Sequence, residues 1–237
     1  MCKSNVLNAQ VPYFSPERIF DSTVCDKDGM KYKLNNIRID TTTVYPDGNK
    51  VHLLCSSGYF DLYFEPGCGM ENTGNSIHNA RRAVICQLFT DLSSFVINKG
   101  GNSNKVRIFI RDMNKALTTP TASSSGMGAA ATSYYTYPYA PTKSGIIDSE
   151  IWKTINSGQD SYIGIASPLM LSGISFYHGQ MFFNFYNTSF SWHDNLLTTP
   201  PVGMVDLYTI GLHEAVHALG FSSGINFNGN SLITFGS

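Results

Sequence analysis

The chain has 237 residues, a formal net charge of −1 and 14% charged residues, with 15 Phe and 13 Tyr. This length allows one substantial core, or one catalytic domain with a small N-terminal appendage. The aromatic content excludes a disordered polymer, and the small net charge excludes electrostatic attraction to nucleic acid or anionic lipid. No apolar run is long enough to predict a membrane span. A surface made polar by Asn, Ser, Thr and Tyr instead of charges favours a secreted or cell-surface protein.

The N-terminus carries no recognisable signal peptide, because residues 1–5 include no hydrophobic stretch. We therefore expect that either an export signal has been removed or the chain begins after it, and that Cys2 is then either an acylated cysteine of lipoprotein type or an incidental thiol. The five cysteines have no CxxC spacing, so a cysteine-based zinc site is not expected. Cys86 lies in a helical apolar pattern and is interpreted as a buried thiol. One or two disulfides among the others would fit an oxidising compartment. The cysteines are Cys2, Cys25, Cys55, Cys68 and Cys86.

The first part of the chain differs in pattern from the rest. Residues 1–55 combine turn signals with short apolar runs, which predicts a β-rich propeptide, small module or peripheral layer. Residues 56–237 are predicted to be the N-terminal part of a catalytic domain. There, Tyr59–Phe64 indicates a strand, and an apolar stripe at three- and four-residue steps predicts a long amphipathic helix. The stripe is Ile77, Ala80, Val84, Ile85, Leu88, Leu92 and Val96.

Further elements follow this helix. Alternation in Val106–Arg111 predicts a strand, and the strand–helix–strand order implies a crossover with parallel pairing. Residues 118–145, rich in Ser, Gly, Ala, Thr and Tyr, are interpreted as a long surface loop. Ser161–Ile165 is predicted to be a short strand and Met181–Tyr186 a clearer one, followed by a loop over 187–203.

The last predicted helix has clear start and stop signals. Asp206 is a suitable N-cap, and Gly220 can take the left-handed conformation that ends a helix. Between them the apolar side chains recur with helical spacing. Those expected to pack against the sheet are Ile210, Val216 and Leu219.

This helix carries the residues that point to chemistry. His213 and His217 are four residues apart, so their rings project from one face about one turn apart and can reach a single zinc ion at ~2.1 Å. Glu214 lies beside the first histidine and can act as general base on a water molecule held by the zinc. The same triplet could also arise by chance on a solvated helix.

The segment His213–Phe221 resembles the HExxHxxGF motif of metzincin-type peptidases. The segment His217–Ser222 is similar to the corresponding segment of leishmanolysin-like enzymes. Residues Asp206–Tyr208, which precede the motif, are similar to those of secreted bacterial HExxHxxGF metallopeptidases. The resemblance implies an α+β, zincin-like catalytic domain with a twisted mixed sheet and two long helices, the second carrying HExxH. It also implies Zn²⁺ as cofactor, with His213 and His217 as ligands and Glu214 as the catalytic residue.

The resemblance further implies that an edge strand binds an extended protein or peptide substrate by backbone pairing. By that comparison the strand at 181–186 is the expected edge, with Phe183, Asn184 and Phe185 as substrate-binding residues. Cys68, in a Pro-Gly-Cys-Gly turn, resembles the zinc-masking thiol of some metzincin zymogens, although a disulfide-stapled turn would use the same residues.

The sequence departs from the family pattern at the third ligand. Short-spacer metzincins place a histidine where this chain has Ser223, and no methionine turn is recognisable. A catalytic zinc normally has three protein ligands. We therefore expect the third ligand and a C-terminal subdomain to lie beyond residue 237, with His193 and His178 as the alternatives upstream. Without that ligand, residues 1–237 alone are expected to bind zinc weakly through His213 and His217 and to show little or no peptidase activity.

Three functions fit these observations. The first is a zinc endopeptidase acting on protein or peptide substrates. The second is a non-catalytic binding or adhesion module on a degenerate or truncated peptidase scaffold, which need not hold metal. The third is a zinc hydrolase acting on a non-peptide substrate, since the motif itself does not define the substrate.

Overall fold

The protein is an α+β structure with a mixed sheet. A computed structural model describes residues 23–25, 31–33, 50–97, 105–116, 128–133, 135–136, 149–162, 176–186, 188 and 190–221. The strands are β1 (Thr23–Cys25), β2 (Lys31–Lys33), β3 (His52–Ser57), β4 (Phe60–Phe64), β5 (Val106–Asp112), β6 (Ala129–Ser133), β7 (Tyr135–Thr136), β8 (Gly179–Phe183), β9 (Ser191–His193) and β10 (Met204–Asp206). The helices are α1 (Ser76–Phe95), α2 (Met113–Ala116), α3 (Glu150–Ser157) and α4 (Leu207–Ala218).

Among the described residues, five strands form the central sheet in the order β3-β4-β5-β8-β6. Strands β4, β5 and β8 run parallel, with Phe60 opposite Val106 and Ile108 opposite Gly179. Strands β3 and β6 run antiparallel to their neighbours. The predicted strands at 59–64 and 106–111 and the parallel crossover between them are thus confirmed.

The predicted edge strand is wrong. Strand β8, which overlaps the predicted segment 181–186 at residues 181–183, lies inside the sheet because it pairs with β5 on one side and β6 on the other. Among the described strands, the edge next to β8 is β6. That strand falls in 118–145, which we interpreted as a loop. Its Ala-rich sequence has too little apolar contrast to predict a strand, and it takes this conformation by pairing with β8.

Helix α1 follows the predicted apolar stripe. Its N-cap Asn75 accepts hydrogen bonds from the amides of Ile77 and His78 at 2.9 and 3.2 Å. Ile77, the first residue of the stripe, is 54% exposed and Ala80 is half-buried, so the stripe enters the core at Val84, about two turns later. The buried residues of α1 are Val84, Ile85, Leu88, Phe89 and Leu92.

Helices α1 and α4 pack against the sheet and against each other in one core. They are in close contact at Gly211, where an added Cβ would lie 3.0 Å from Cδ1 of Ile85 and 3.1 Å from that of Leu88. The hydroxyl of Tyr208 on α4 donates to the Asp91 carboxylate on α1 at 2.5 Å. This bond raises the pKa of Tyr208 to about 12. The packing fixes the position of α4 against α1.

The cysteines differ from the sequence prediction. Cys86 was interpreted as a buried thiol, but it forms a disulfide with Cys55, which joins α1 to β3. Cys68 is buried and free, so the disulfide-stapled turn is wrong. The Cys68 thiol donates to the Glu71 carboxylate at 3.6 Å. Burial, with the nearby Glu71 charge, raises the pKa of this thiol well above its ordinary value.

Smaller sheets surround the main one. Strand β1 pairs with β2 and with β7, and β9 pairs in parallel with β10, so the predicted loop over 187–203 includes one short strand. Strand β3 spans residue 55 and belongs to the main sheet, while the division at 1–55 stays a prediction. Residues 163–165 of the predicted strand at 161–165 lie outside the described residues. In the parts of the chain that the structure describes, no helix has the length and apolarity to cross a membrane.

Candidate metal centre

Helix α4 begins and ends as its sequence predicts. The Asp206 side chain accepts a hydrogen bond from the Thr209 amide at 3.0 Å, which satisfies one of the free N–H groups of the first turn. At the other end Gly220 has φ 99°. Its amide donates to the His217 carbonyl at 2.9 Å and the Phe221 amide donates to the Val216 carbonyl at 3.2 Å. These two bonds form a Schellman motif.

The inner face of α4 differs in part from the prediction. Leu219 is buried and Ile210 packs at the margin of the core, as expected, whereas Val216 is half-buried and outside the core cluster. Small side chains and one carboxylate fill most of the inner face. The buried residues of the helix itself are Leu207, Gly211, Glu214, Ala215 and Ala218.

The two histidines of the motif are brought together as predicted. Their Nε2 atoms are 3.1 Å apart, and their ring centroids are 4.6 Å apart with the rings nearly perpendicular. Two nitrogens bound to one tetrahedral zinc at ~2.1 Å would be about 3.4 Å apart. His213 and His217 therefore fit two coordination positions of one zinc ion if their Nε2 atoms move apart by a few tenths of an ångström.

The Phe221 carbonyl determines which His217 nitrogen carries the proton. It lies 2.8 Å from Nδ1 of His217, and a carbonyl oxygen only accepts hydrogen bonds. Nδ1 is thus protonated and the lone pair of the neutral ring is on Nε2, the atom that faces His213. A ligating histidine whose other ring nitrogen donates to a backbone carbonyl is a common arrangement in metal sites. The hydrogen bond at the helix end thus leaves Nε2 of His217 available to bind a metal ion.

Glu214 occupies a different environment from the histidines beside it. It is 7% exposed, whereas His213 is exposed and His217 is half-buried. The helix thus directs Glu214 inward and His213 outward. Within a partly dry environment a carboxylate interacts more strongly with nearby charge than it would in water. This placement is compatible with the predicted role of Glu214 as a base, which stays a prediction.

The upstream alternatives for a third ligand have other partners. His178 is fully buried, and its Nε2 lies 3.0 Å from Asp160 while its Nδ1 accepts from the Arg107 amide at 3.0 Å. His193 contacts Thr198 through Nε2 at 3.0 Å. Within the described ranges, no group of three or more His, Cys, Asp and Glu side chains is arranged to hold a metal ion. Ser223, the position of the family's third histidine, lies outside the described residues.

The predicted substrate-binding residues are engaged within the fold. Phe183 is fully buried. The Asn184 amide donates to the Gly128 carbonyl at 2.7 Å, and its carbonyl accepts from Trp192 Nε1 at 3.0 Å. Phe185 stacks on Phe183 at 5.8 Å. Because the backbone groups of Asn184 are already paired, this segment cannot provide the strand pairing on which its prediction rested.

A partly buried ionic network was not predicted from the sequence. The Arg107 guanidinium contacts the Asp160 carboxylate at 2.5 Å, and Tyr162 stacks on His178 at 5.1 Å between ring centroids. Burial would raise the pKa of Asp160, but the contacts with His178 and Arg107 lower it far below its ordinary value. Burial lowers the pKa of His178 despite its bond to Asp160. The members are up to 71 residues apart, so no local pattern marks them.

Comparison with protein-family models, with curated proteins and with solved structures found no match.

Proposed function

We propose that this chain is the zinc-binding part of a secreted or cell-surface endopeptidase with a zincin-like fold. One observation carries the proposal: the Nε2 atoms of His213 and His217 are 3.1 Å apart on one helix face, beside Glu214. The disulfide between Cys55 and Cys86 supports an oxidising, extracellular location, because such bonds rarely persist in the cytosol.

The side chains of α4 divide the chemistry between them. His213 and His217 would hold zinc, which when bound lowers the pKa of a water molecule to about 7 and polarises the substrate carbonyl. Glu214 accepts a proton from the attacking water and returns it to the leaving nitrogen. Such general acid–base catalysis contributes roughly 10²–10⁴-fold.

Strand β6 is the edge that would pair with an extended substrate. It pairs with β8 and is the outermost strand of the sheet among the described residues, and it packs against α4. Ala129 and Ala131 are buried toward the core, so these two side chains are not available to a substrate. Pairing of this kind gives affinity with little side-chain selectivity, which fits an endopeptidase acting on unfolded segments.

The test is cleavage of an unfolded protein substrate by the full-length protein, with added zinc and with a chelator. We expect the chelator to abolish cleavage and zinc to restore it. Glu214→Gln should lose roughly 10²–10⁴-fold in turnover. The matched control is Asp61→Asn, which changes a surface ion pair with Lys105 of little energetic value and should leave turnover unchanged. Cleavage that persists in chelator, or in Glu214→Gln, would overturn the proposal.

A further inference from the structure

The N-terminus of α3 contacts the C-terminus of α4 through one hydroxyl group. Ser149 is 1% exposed, and its Oγ donates to the Leu219 carbonyl at 3.2 Å. The same oxygen accepts from the Trp152 amide at 3.2 Å, which makes Ser149 the N-cap of α3. The hydroxyl thus uses its donor on one helix and its acceptor on the other.

Leu219 stands at the start of the turn that orients His217. It is the C-cap of α4 and is itself buried. Two residues later the Phe221 carbonyl accepts from Nδ1 of His217 at 2.8 Å. The carbonyls at a helix C-terminus lack helical partners and need others. Ser149 satisfies the Leu219 carbonyl and thereby holds the first residue of this turn in place.

We propose that Ser149 is a positioning residue for the zinc ligand His217. Ser149 holds the Leu219 carbonyl and thereby the turn that includes Gly220. That turn positions the Phe221 carbonyl, which fixes the His217 tautomer. Loss of the hydroxyl would leave a buried carbonyl without its donor, and the turn would move to reach water or another partner. His217 would then spend less time with Nδ1 protonated and Nε2 available. The proposal rests on the proposed function insofar as the ligand is zinc.

The competing explanation is that Ser149 only caps α3. Ser149→Gly separates the two, because glycine replaces a serine N-cap at a cost of only a few tenths of a kcal/mol but provides no donor for Leu219. Ser149→Thr keeps both bonds and should behave as the parent. Asn75→Gly is the matched control, because Asn75 caps α1 by the same type of bond.

The experiment has two readouts on the purified full chain. The first is zinc affinity by competition titration, and the second is the His217 tautomer in metal-free protein by ¹⁵N NMR. Outer-shell partners of a ligand are worth about 10–100-fold in metal affinity. Because Ser149 acts one step further out, we expect Ser149→Gly to weaken zinc binding by about tenfold. We also expect it to yield a mixture of His217 tautomers, while Ser149→Thr and Asn75→Gly match the parent.

Parental zinc affinity together with an unchanged tautomer in Ser149→Gly would overturn the positioning role. If the parent itself binds no zinc, the proposed function fails, but the tautomer readout still decides the role of Ser149. If Ser149→Gly does not fold, Ser149→Cys keeps the volume with a weak donor. It should then give a tautomer mixture, and a pure parental tautomer in that variant would refute the proposal.

Discussion

The turn at Gly220 links the stability of α4 to its metal site, and Gly220→Ala tests that link. Gly220 has φ 99°, a region in which an L side chain costs roughly 1–2 kcal/mol. The Schellman bonds of Gly220 and Phe221 depend on this conformation. If the turn keeps its conformation, the variant loses about 1–2 kcal/mol of unfolding free energy, which lowers the folded-to-unfolded ratio by a factor of roughly 5–30. If the turn relaxes instead, the Phe221 carbonyl moves away from His217.

Gly203→Ala is the matched control for this substitution. Gly203 also has positive φ, +87°, and an added Cβ would meet no atom within 4 Å, so the backbone penalty is similar. It lies before α4, at the opposite end from His217. Urea unfolding should show comparable destabilisation of both variants, while only Gly220→Ala should weaken zinc binding, by about tenfold or more. Parental zinc affinity in Gly220→Ala would refute the argument that this turn orients His217.

Two further predictions concern the scaffold. Replacing both Cys55 and Cys86 by Ser removes a disulfide between residues 31 positions apart and should lower the unfolding free energy by about 3–4 kcal/mol. Urea midpoints that do not change with this substitution or with reductant would contradict this. His178 has a lowered pKa in the folded state, so its contribution to stability is fully present above its unfolded value of about 6.5 and is lost as pH falls below it. Between about pH 7 and pH 5 the stability of the parent should therefore fall more steeply than that of His178→Gln, by up to about 1.4 kcal/mol per pH unit. Equal slopes for the two proteins would rule out this role of His178.

Much of the fold could be predicted where local pattern and tertiary environment agree. Helix α1 has an apolar stripe at helical spacing and a capping Asn75, and α4 has Asp206 before it and Gly220 after it. Strand β5 alternates buried and partly exposed residues along its length. In each case the pattern follows directly from burial of one face against the core.

The rest depends on partners distant in sequence. Strand β6 is made mostly of alanine and forms because it pairs with β8. The same pairing places β8 inside the sheet instead of at its edge. Cys86 has the pattern of a buried thiol because its position on α1 is apolar, and only the fold brings Cys55 to it. The contact of Ser149 with Leu219 likewise spans 70 residues. No local signal encodes such pairs.

We propose that His213 and His217 are ligands of one zinc ion and that Glu214 is not. The direct measurement is the zinc content and affinity of the purified chain and of its single variants. We expect bound zinc in the parent and in Glu214→Gln, and its loss in His213→Ala and His217→Ala. His52→Ala, which removes an exposed histidine on β3, should bind zinc as the parent does. Zinc bound as tightly by His213→Ala as by the parent would show that His213 is not a ligand.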